Sequence, residues 1–389
     1  MDSVRIGLHI ISRPLPAPIA QQTMTPPPSA VEAPSVASPN AAGQPALGAW
    51  HPLAQALGLR LEEDAWGLQA RSAAAAAPQL AAGFAAPLPD LGLLAVTGAD
   101  ALGFLHGQLT NDVEHLADAE ARWYGYCTAK GRLLSTFLGW REDEGVALTV
   151  ARPMAETVRK RLAMFVLRAK AKVSDASDSR LLFGVGGSGA PEALRGLGLE
   201  APGPMAVSRA RGASVVGLPA VAVAGRACGR WLLSVPAADA PDAWRALGAL
   251  APVSSETWRW TEVLAGVPRI VAATAEHFVP QMLNLDLSGG VSFTKGCYPG
   301  QEIVARTHYL GKQRRRMFVG HLMGAAPGPG SDVLDAQRAP VGRVVLAAPS
   351  PVGGADLLFE AQIAALAEGP LSVDGTRIVP GELPYALPQ

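Results

Sequence analysis

Cysteine, charge and aromatic side chains are all scarce in this chain of 389 residues, and each scarcity removes a class of function. The three cysteines, Cys127, Cys228 and Cys297, are odd in number and far apart, so they form no disulfide framework. They read as thiols of a reducing cytoplasm, which is the expected location. Three distant thiols are also too few for a conventional resident iron–sulfur cluster. Charged residues make up 17%, and 33 Lys+Arg balance 33 Asp+Glu. The chain as a whole is therefore not built to hold nucleic acid or anionic lipid; only a local patch could do so. No apolar stretch is long enough to span a bilayer, and the short run Ile6–Ile11 is no secretory leader, so no membrane partner is expected. There is no C-x-x-C, no H-E-x-x-H and no G-x-S-x-G, which leaves no metal ligand set and no hydrolase elbow.

What is present divides into three stretches. Residues 1–46 are rich in Pro, Ala, Ser and Gln and cannot bury enough apolar surface to offset their ordering entropy, so a disordered tail is expected. Met24 offers an alternative start within it. From residue 47 to 311 the pattern is α+β. A strand at Leu91–Val96 precedes a helix for which Thr97 is the candidate N-cap, with Asp100 in its first turn. A hairpin, Trp123–Thr128 and Leu133–Trp140, turns at Ala129-Lys-Gly-Arg132. A strand at Val146–Val150 and a helix at Glu156–Leu167, with Val158, Leu162, Phe165 and Val166 inward, complete the first set. Leu181–Gly184, a helix near Pro191–Leu197, hairpin strands within 213–235 and a helix at Ala240–Leu250 form a second. Two such sets predict two similar α+β layers. From 312 to 389, short strands at Arg316–Met323, Val341–Ala347 and Leu371–Val379 are punctuated by Gly and Pro. Asp374-Gly375 is a type I′ hairpin signal, and the stretch predicts a small β-barrel or sandwich.

Chemistry concentrates in K-G-C-Y-P-G-Q-E, Lys295 to Glu302. Gly296 and Gly300 flank Cys297, while Pro299 stiffens its presentation. Lys295, Arg306 and His308 lie close in sequence, and positive charge favours a thiolate over a thiol. Gln301 and Glu302 offer an amide and a carboxylate to a polar ligand. The bland alternative is a structural cysteine in a turn, but Gly, Lys, Gln and Glu are poor core companions. Two other runs read as structural. Gly184-Val-Gly-Gly-Ser-Gly189 formally fits G-x-G-x-x-G, yet its following helix is short. The basic run Lys312–Arg316 reads as a solvated hairpin face, with phosphate grip as the alternative. Trp258 and Trp260 lie on the helical stretch Ser255–Leu264, where such spacing serves core packing or stacking on a flat heteroaromatic ligand.

Taken together, Gly289–Arg306 resembles the signature of the YgfZ family, folate-binding proteins related to the glycine-cleavage T-protein, an aminomethyltransferase. Thr97-Gly-Ala-Asp100, Gly107–Val113, Ala129–Arg132, Phe278–Leu285 and Leu383–Leu387 extend the resemblance from about residue 88 to the C-terminus. It implies a three-lobed ring of two ferredoxin-like α+β lobes and a C-terminal β-barrel around a folate-sized cavity. It further implies tetrahydrofolate or a one-carbon derivative as cofactor, and folate-dependent upkeep of iron–sulfur client enzymes, including those that thiolate tRNA. By the same resemblance Cys297, with Lys295, falls on the family's working cysteine. Gly296, Tyr298, Gly300, Gln301, Glu302 and Arg306 complete the motif, and Trp258 falls on a folate-contacting tryptophan. Leu91 stands where the family has a second tryptophan. The turn Ala129-Lys130-Gly131-Arg132 carries bases where the T-protein carries acids, which argues against glycine cleavage. A one-carbon transferase and a non-catalytic adaptor for clients or tRNA remain the alternatives, and a monomer is expected.

Overall fold

The computed structural model describes residues 48–72, 75–143, 145–309 and 313–388. The expected tail at 1–46 and Lys312 of the basic run lie outside them. Four sheets, antiparallel but for one short parallel pair, carry the fold. A five-stranded sheet runs in the order Ala121–Cys127, Leu133–Glu142, Gly145–Ala151, Leu91–Thr97, Lys172–Asp175. Its middle strands are covered on both faces: all of Gly145–Ala151 is buried, which explains their nearly continuous apolar sequence. A six-stranded sheet is built around the Ala213–Val223/Arg226–Pro236 hairpin and Arg180–Gly186. Its far edge is Phe84–Pro87, with Ala251–Pro252 added in parallel. From Phe84–Pro87 of the second sheet the chain crosses at Leu88–Asp90 into Leu91–Thr97 of the first, and it returns to the second at Arg180–Gly186, so the two α+β layers are interleaved.

A seven-stranded sheet of C-terminal strands curls into a nearly closed barrel. Its centre is Pro340–Pro349, Ala355–Gln362 and Arg315–Leu322. The Asp374-Gly375 turn has φ of 50° and 79°, as a type I′ hairpin demands. A two-stranded ribbon, Arg60–Asp64 with Gly67–Arg71, completes the set. The α+β class and the barrel are as the sequence predicts.

The helix Ser255–Leu264 is the keystone. Ser254 caps it by accepting from the Thr257 N–H at 3.3 Å. Trp258, Arg259, Trp260, Thr261 and Val263 are all buried, because the helix is wedged between ribbon, six-stranded sheet and barrel. Trp260 donates from Nε1 to Asp356 on the barrel at 2.6 Å. Trp258 points the other way, its ring lying on Gly184, where a Cβ would sit 2.2 Å from it. Gly186 makes the same room for Phe84, at 2.4 Å. The glycine run is therefore a packing device.

Several expectations are corrected. Thr97 ends a strand and caps nothing; the helix begins at Ala101, after a sharp turn at Gly98 with φ of 112°. Asp100 instead accepts from the Lys170 N–H at 2.7 Å. The helix predicted to reach Leu167 stops at Ala163, and Phe165 is 45% exposed. Leu167, at φ 46°, is in a left-handed conformation that no helix continues through. The helix predicted at Ala240–Leu250 ends at Ala246. Only part of the basic run is a solvated face: Arg314 is exposed, but Arg316 is buried and grips Asp286 with both terminal nitrogens, at 2.7 and 3.0 Å. Arg315 pairs with buried Glu360 of the neighbouring strand.

Candidate functional site

Two regions hold the residues singled out by sequence. The first is a cleft between the two sheets and the keystone helix. Leu91 and Trp258 both line it, together with Trp123, Thr136, Glu262 and Arg269. Its cavity volume is about 40 Å³, room for little more than a water molecule. Its polar groups come from distant points of the chain. Arg269 is buried and donates to Asp90 and Glu262, two carboxylates sharing one guanidinium. Burial works against the charge of Arg269, but Glu262 and Asp90 more than offset it and hold it firmly cationic. Burial pushes the Glu262 carboxyl above the usual range, with Arg269 pulling the other way. Arg230 lies over the Trp258 ring at 5.5 Å, and burial pushes its guanidinium down to about 10. Nε1 of Trp258, in the cleft lining, is buried and has no partner among the described residues; behind the lining the same holds for Asp90 Oδ1.

The second region is the motif loop. Lys295 donates from Nζ to the His106 carbonyl and, at 2.9 Å, to that of Leu109. It thereby caps the C-terminal end of the Ala101–His106 helix. Burial pushes its ammonium down to about 8, against the pull of Asp112, Cys297 and Glu114. The same ammonium lies 4.7 Å from the centre of the Tyr298 ring. Tyr298 is buried, which pushes its phenol up. Gly300 adopts φ of 82°, and a Cβ there would lie 2.4 Å from Thr128 O and 2.6 Å from Gly131 Cα. The loop thus rests directly on the Ala129–Arg132 turn, backbone against backbone. Between these anchors Cys297 is exposed, whereas Cys127 and Cys228 are buried. Burial pushes the Cys127 thiol up to about 12, which leaves it inert at neutral pH.

After Gly300 the chain enters a helix, Gln301–Tyr309, that the sequence pattern does not announce. Val304 anchors it, with its carbonyl accepting from Gln281 Nε2 at 2.7 Å. Glu302 and Arg306 face solvent on its outer side. The structure therefore brings together Lys295, Gly296, Cys297, Tyr298 and Gly300 at the turn, and Leu91 with Trp258 in the cleft. No residue from 295 to 302 lines the cleft. Gly131, under the loop, precedes Thr136 of the cleft wall by five residues, at most about 17 Å of chain. Sequence reasoning missed Asp90, Glu262, Arg230 and Arg269. The only signal for the last was its place in Gly266-Val-Pro-Arg269.

Interleaved α+β sheets, a barrel and a keystone helix define an aminomethyltransferase-type fold. The glycine cleavage system aminomethyltransferase T from Bartonella henselae superposes with a TM-score of 0.69 at 14% identity, over 85% of this chain and 95% of that one. No family model matches the chain. Curated relatives do: it is 34% identical over 244 residues to the tRNA-modifying protein YgfZ of Vibrio vulnificus (strain CMCP6), covering 62% of this chain and 70% of the relative. It is 32% identical over 250 residues to the protein of the same name from Shigella boydii serotype 4 (strain Sb227), covering 63% and 74%. The chain belongs to the YgfZ family. No helix among the described residues is long and apolar enough to cross a membrane.

Proposed function

We propose that this protein binds tetrahydrofolate or a one-carbon derivative in the Trp258 cleft and uses Cys297 to keep iron–sulfur enzymes working. Its link to tRNA modification, the activity named for its relatives, then runs through clients that thiolate tRNA. The observation that supports the folate reading is the unpartnered buried donor Trp258 Nε1, in a wall that also presents Glu262. A pterin is flat and offers N–H donors beside a carbonyl acceptor, so it complements an indole face, a free N–H and a carboxylate. Leu91 supplies an apolar wall opposite. With about 40 Å³ open at rest, a side chain of the lining must swing aside to admit a ring. When bound, the folate would supply a one-carbon unit or a reduced pterin. The chain's own residues orient it, exclude water and hold charge at Glu262 and Arg269.

A steady one-carbon transferase is disfavoured by the Ala129–Arg132 turn. Its Lys130 is exposed, Arg132 donates to the His277 carbonyl, and the four residues offer no carboxylate. An RNA grip by the basic run is disfavoured because Arg315 and Arg316 are already paired.

The test is a thermal shift with a panel of folates on the wild type and Trp258→Phe. At a hundredfold excess over Kd, binding stabilises by about 2.7 kcal/mol, a shift of several degrees. The shift should shrink in Trp258→Phe, which keeps a ring but loses the donor. No response to any folate would remove the cofactor claim. For the thiol, Cys297→Ala should fail to restore iron–sulfur enzyme activity in a deletion strain; full rescue would show the sulfur dispensable.

A further inference from the structure

Beside the motif loop lies a histidine that neither the resemblance nor the cleft accounts for. His106 ends the Ala101–His106 helix, with its carbonyl held by Lys295 and its side chain largely covered. Its Nδ1 is 3.1 Å from Asp112 Oδ1. The Glu114 N–H also approaches Nδ1, at 3.4 Å. The shorter, charge-assisted contact with the carboxylate decides the tautomer: Nδ1 carries the proton and donates it to Asp112. Asp112 is suited to that part. Burial raises its carboxyl, but hydrogen bonds from the His115 N–H and ring outweigh burial and keep it below the usual range.

Nε2 is then the free acceptor, and it faces the loop. A Cβ placed on Gly296, the residue before Cys297, would lie 3.5 Å from it. The imidazole thus packs on the glycine that immediately precedes the thiol-bearing residue. Glu114 Oε2, 3.8 Å from Nε2, adds a second carboxylate on that side. The groups around the ring are thus Asp112 and Glu114 from the following loop, with His115 behind Asp112, and Lys295 and Gly296 from the motif, Cys297 being the next residue along. Arg122, on the neighbouring strand, donates to the Asp112 carbonyl at 2.9 Å and is paired with Glu120.

We propose that His106, oriented by Asp112, accepts the Cys297 proton when the thiol reacts. The inference rests on Cys297 being the working thiol. In the step, the S–H bond breaks and its proton passes to Nε2, while the sulfur electron pair forms the bond to the electrophile. With a haloacetamide, the halide leaves with the electron pair of its carbon bond. The imidazolium so formed sits between Asp112 and Glu114, which stabilise its charge. Asp112 is a positioning residue: it fixes the tautomer and aims the ring.

The test is alkylation of the native full chain with iodoacetamide, read by mass spectrometry at Cys297 from pH 5 to 10. The buried Cys127 and Cys228 serve as internal unlabelled controls. His106→Gln should slow labelling at pH 7 by about tenfold and give a profile that climbs steadily with pH, as for an unassisted thiol. Asp112→Asn should fall between His106→Gln and the wild type. Folded variants that label at the wild-type rate across the range overturn the relay. Should His106→Gln not fold, Asp112→Asn alone decides in the same way. The relay and the reading beneath it fail separately. Rescue by Cys297→Ala in the deletion strain removes the thiol's role whatever the labelling shows, and unchanged labelling removes the relay even if Cys297 is essential.

Discussion

The cleft and the motif loop solve opposite problems. The cleft is built from side chains: an indole laid on Gly184 and a guanidinium shared by two carboxylates, all drawn from distant points of the sequence. The loop is built from backbone, with Gly300 pressed on Gly131 and Lys295 bonded to two carbonyls. A side-chain site can repack around a ligand; a backbone platform holds one exposed atom at a fixed height. On the proposed function, binding and reactivity fall to different structural materials.

The largest expected effect tests whether charge in the interior is structural. Arg316→Ala leaves Asp286 buried and unpaired, and should cost about 3–5 kcal/mol in urea unfolding. A loss under 1 kcal/mol would return the basic run to the surface reading. Trp258→Ala, on the cleft side, removes a fully buried ring and should cost a similar ~3–5 kcal/mol as well as the folate response. If stability falls but the response survives, the cleft is core and not site.

On the loop side, Gly300→Ala must place a Cβ 2.4 Å from a carbonyl oxygen at a positive φ. It should cost about 1–3 kcal/mol and speed proteolysis near the loop, while leaving cleft ligands unaffected. Equal damage to both functions would merge the two regions into one. Lys295 adds a pH signature. Its folded pKa, about 8, lies below the ordinary 10.5, so between these values the unfolded chain holds the proton that the native chain has released. Stability of the wild type, measured against Lys295→Met, should therefore rise as pH climbs from about 8 to 10.5. A flat difference would mean the ammonium is not desolvated. The smallest effect is Arg306→Ala on the exposed helix face, within about 0.5 kcal/mol.

Legibility followed the same divide. The Cys297 loop could be read because its residues are contiguous and their types, Gly, Lys and Pro, announce backbone work. The Asp374-Gly375 turn was readable for the same reason. Arg315 and Arg316 were not, since their partners lie 45 and 30 positions away in the sequence. Gln301–Tyr309 hides because only Val304 is buried, too little to set a helical period. Asp90, Glu262 and Arg269 converge only once the chain crosses between sheets at Leu88–Asp90.

The contact of Gly300 with Gly131 has a consequence for inheritance. Two positions 169 residues apart share one space too small for any side chain, so neither can drift while the other stays. A mutation in the hairpin turn is thereby a mutation of the thiol's address. The turn's Lys130, exposed to solvent, remains free to change identity beside it, whereas Arg132 is held by its bond to the His277 carbonyl.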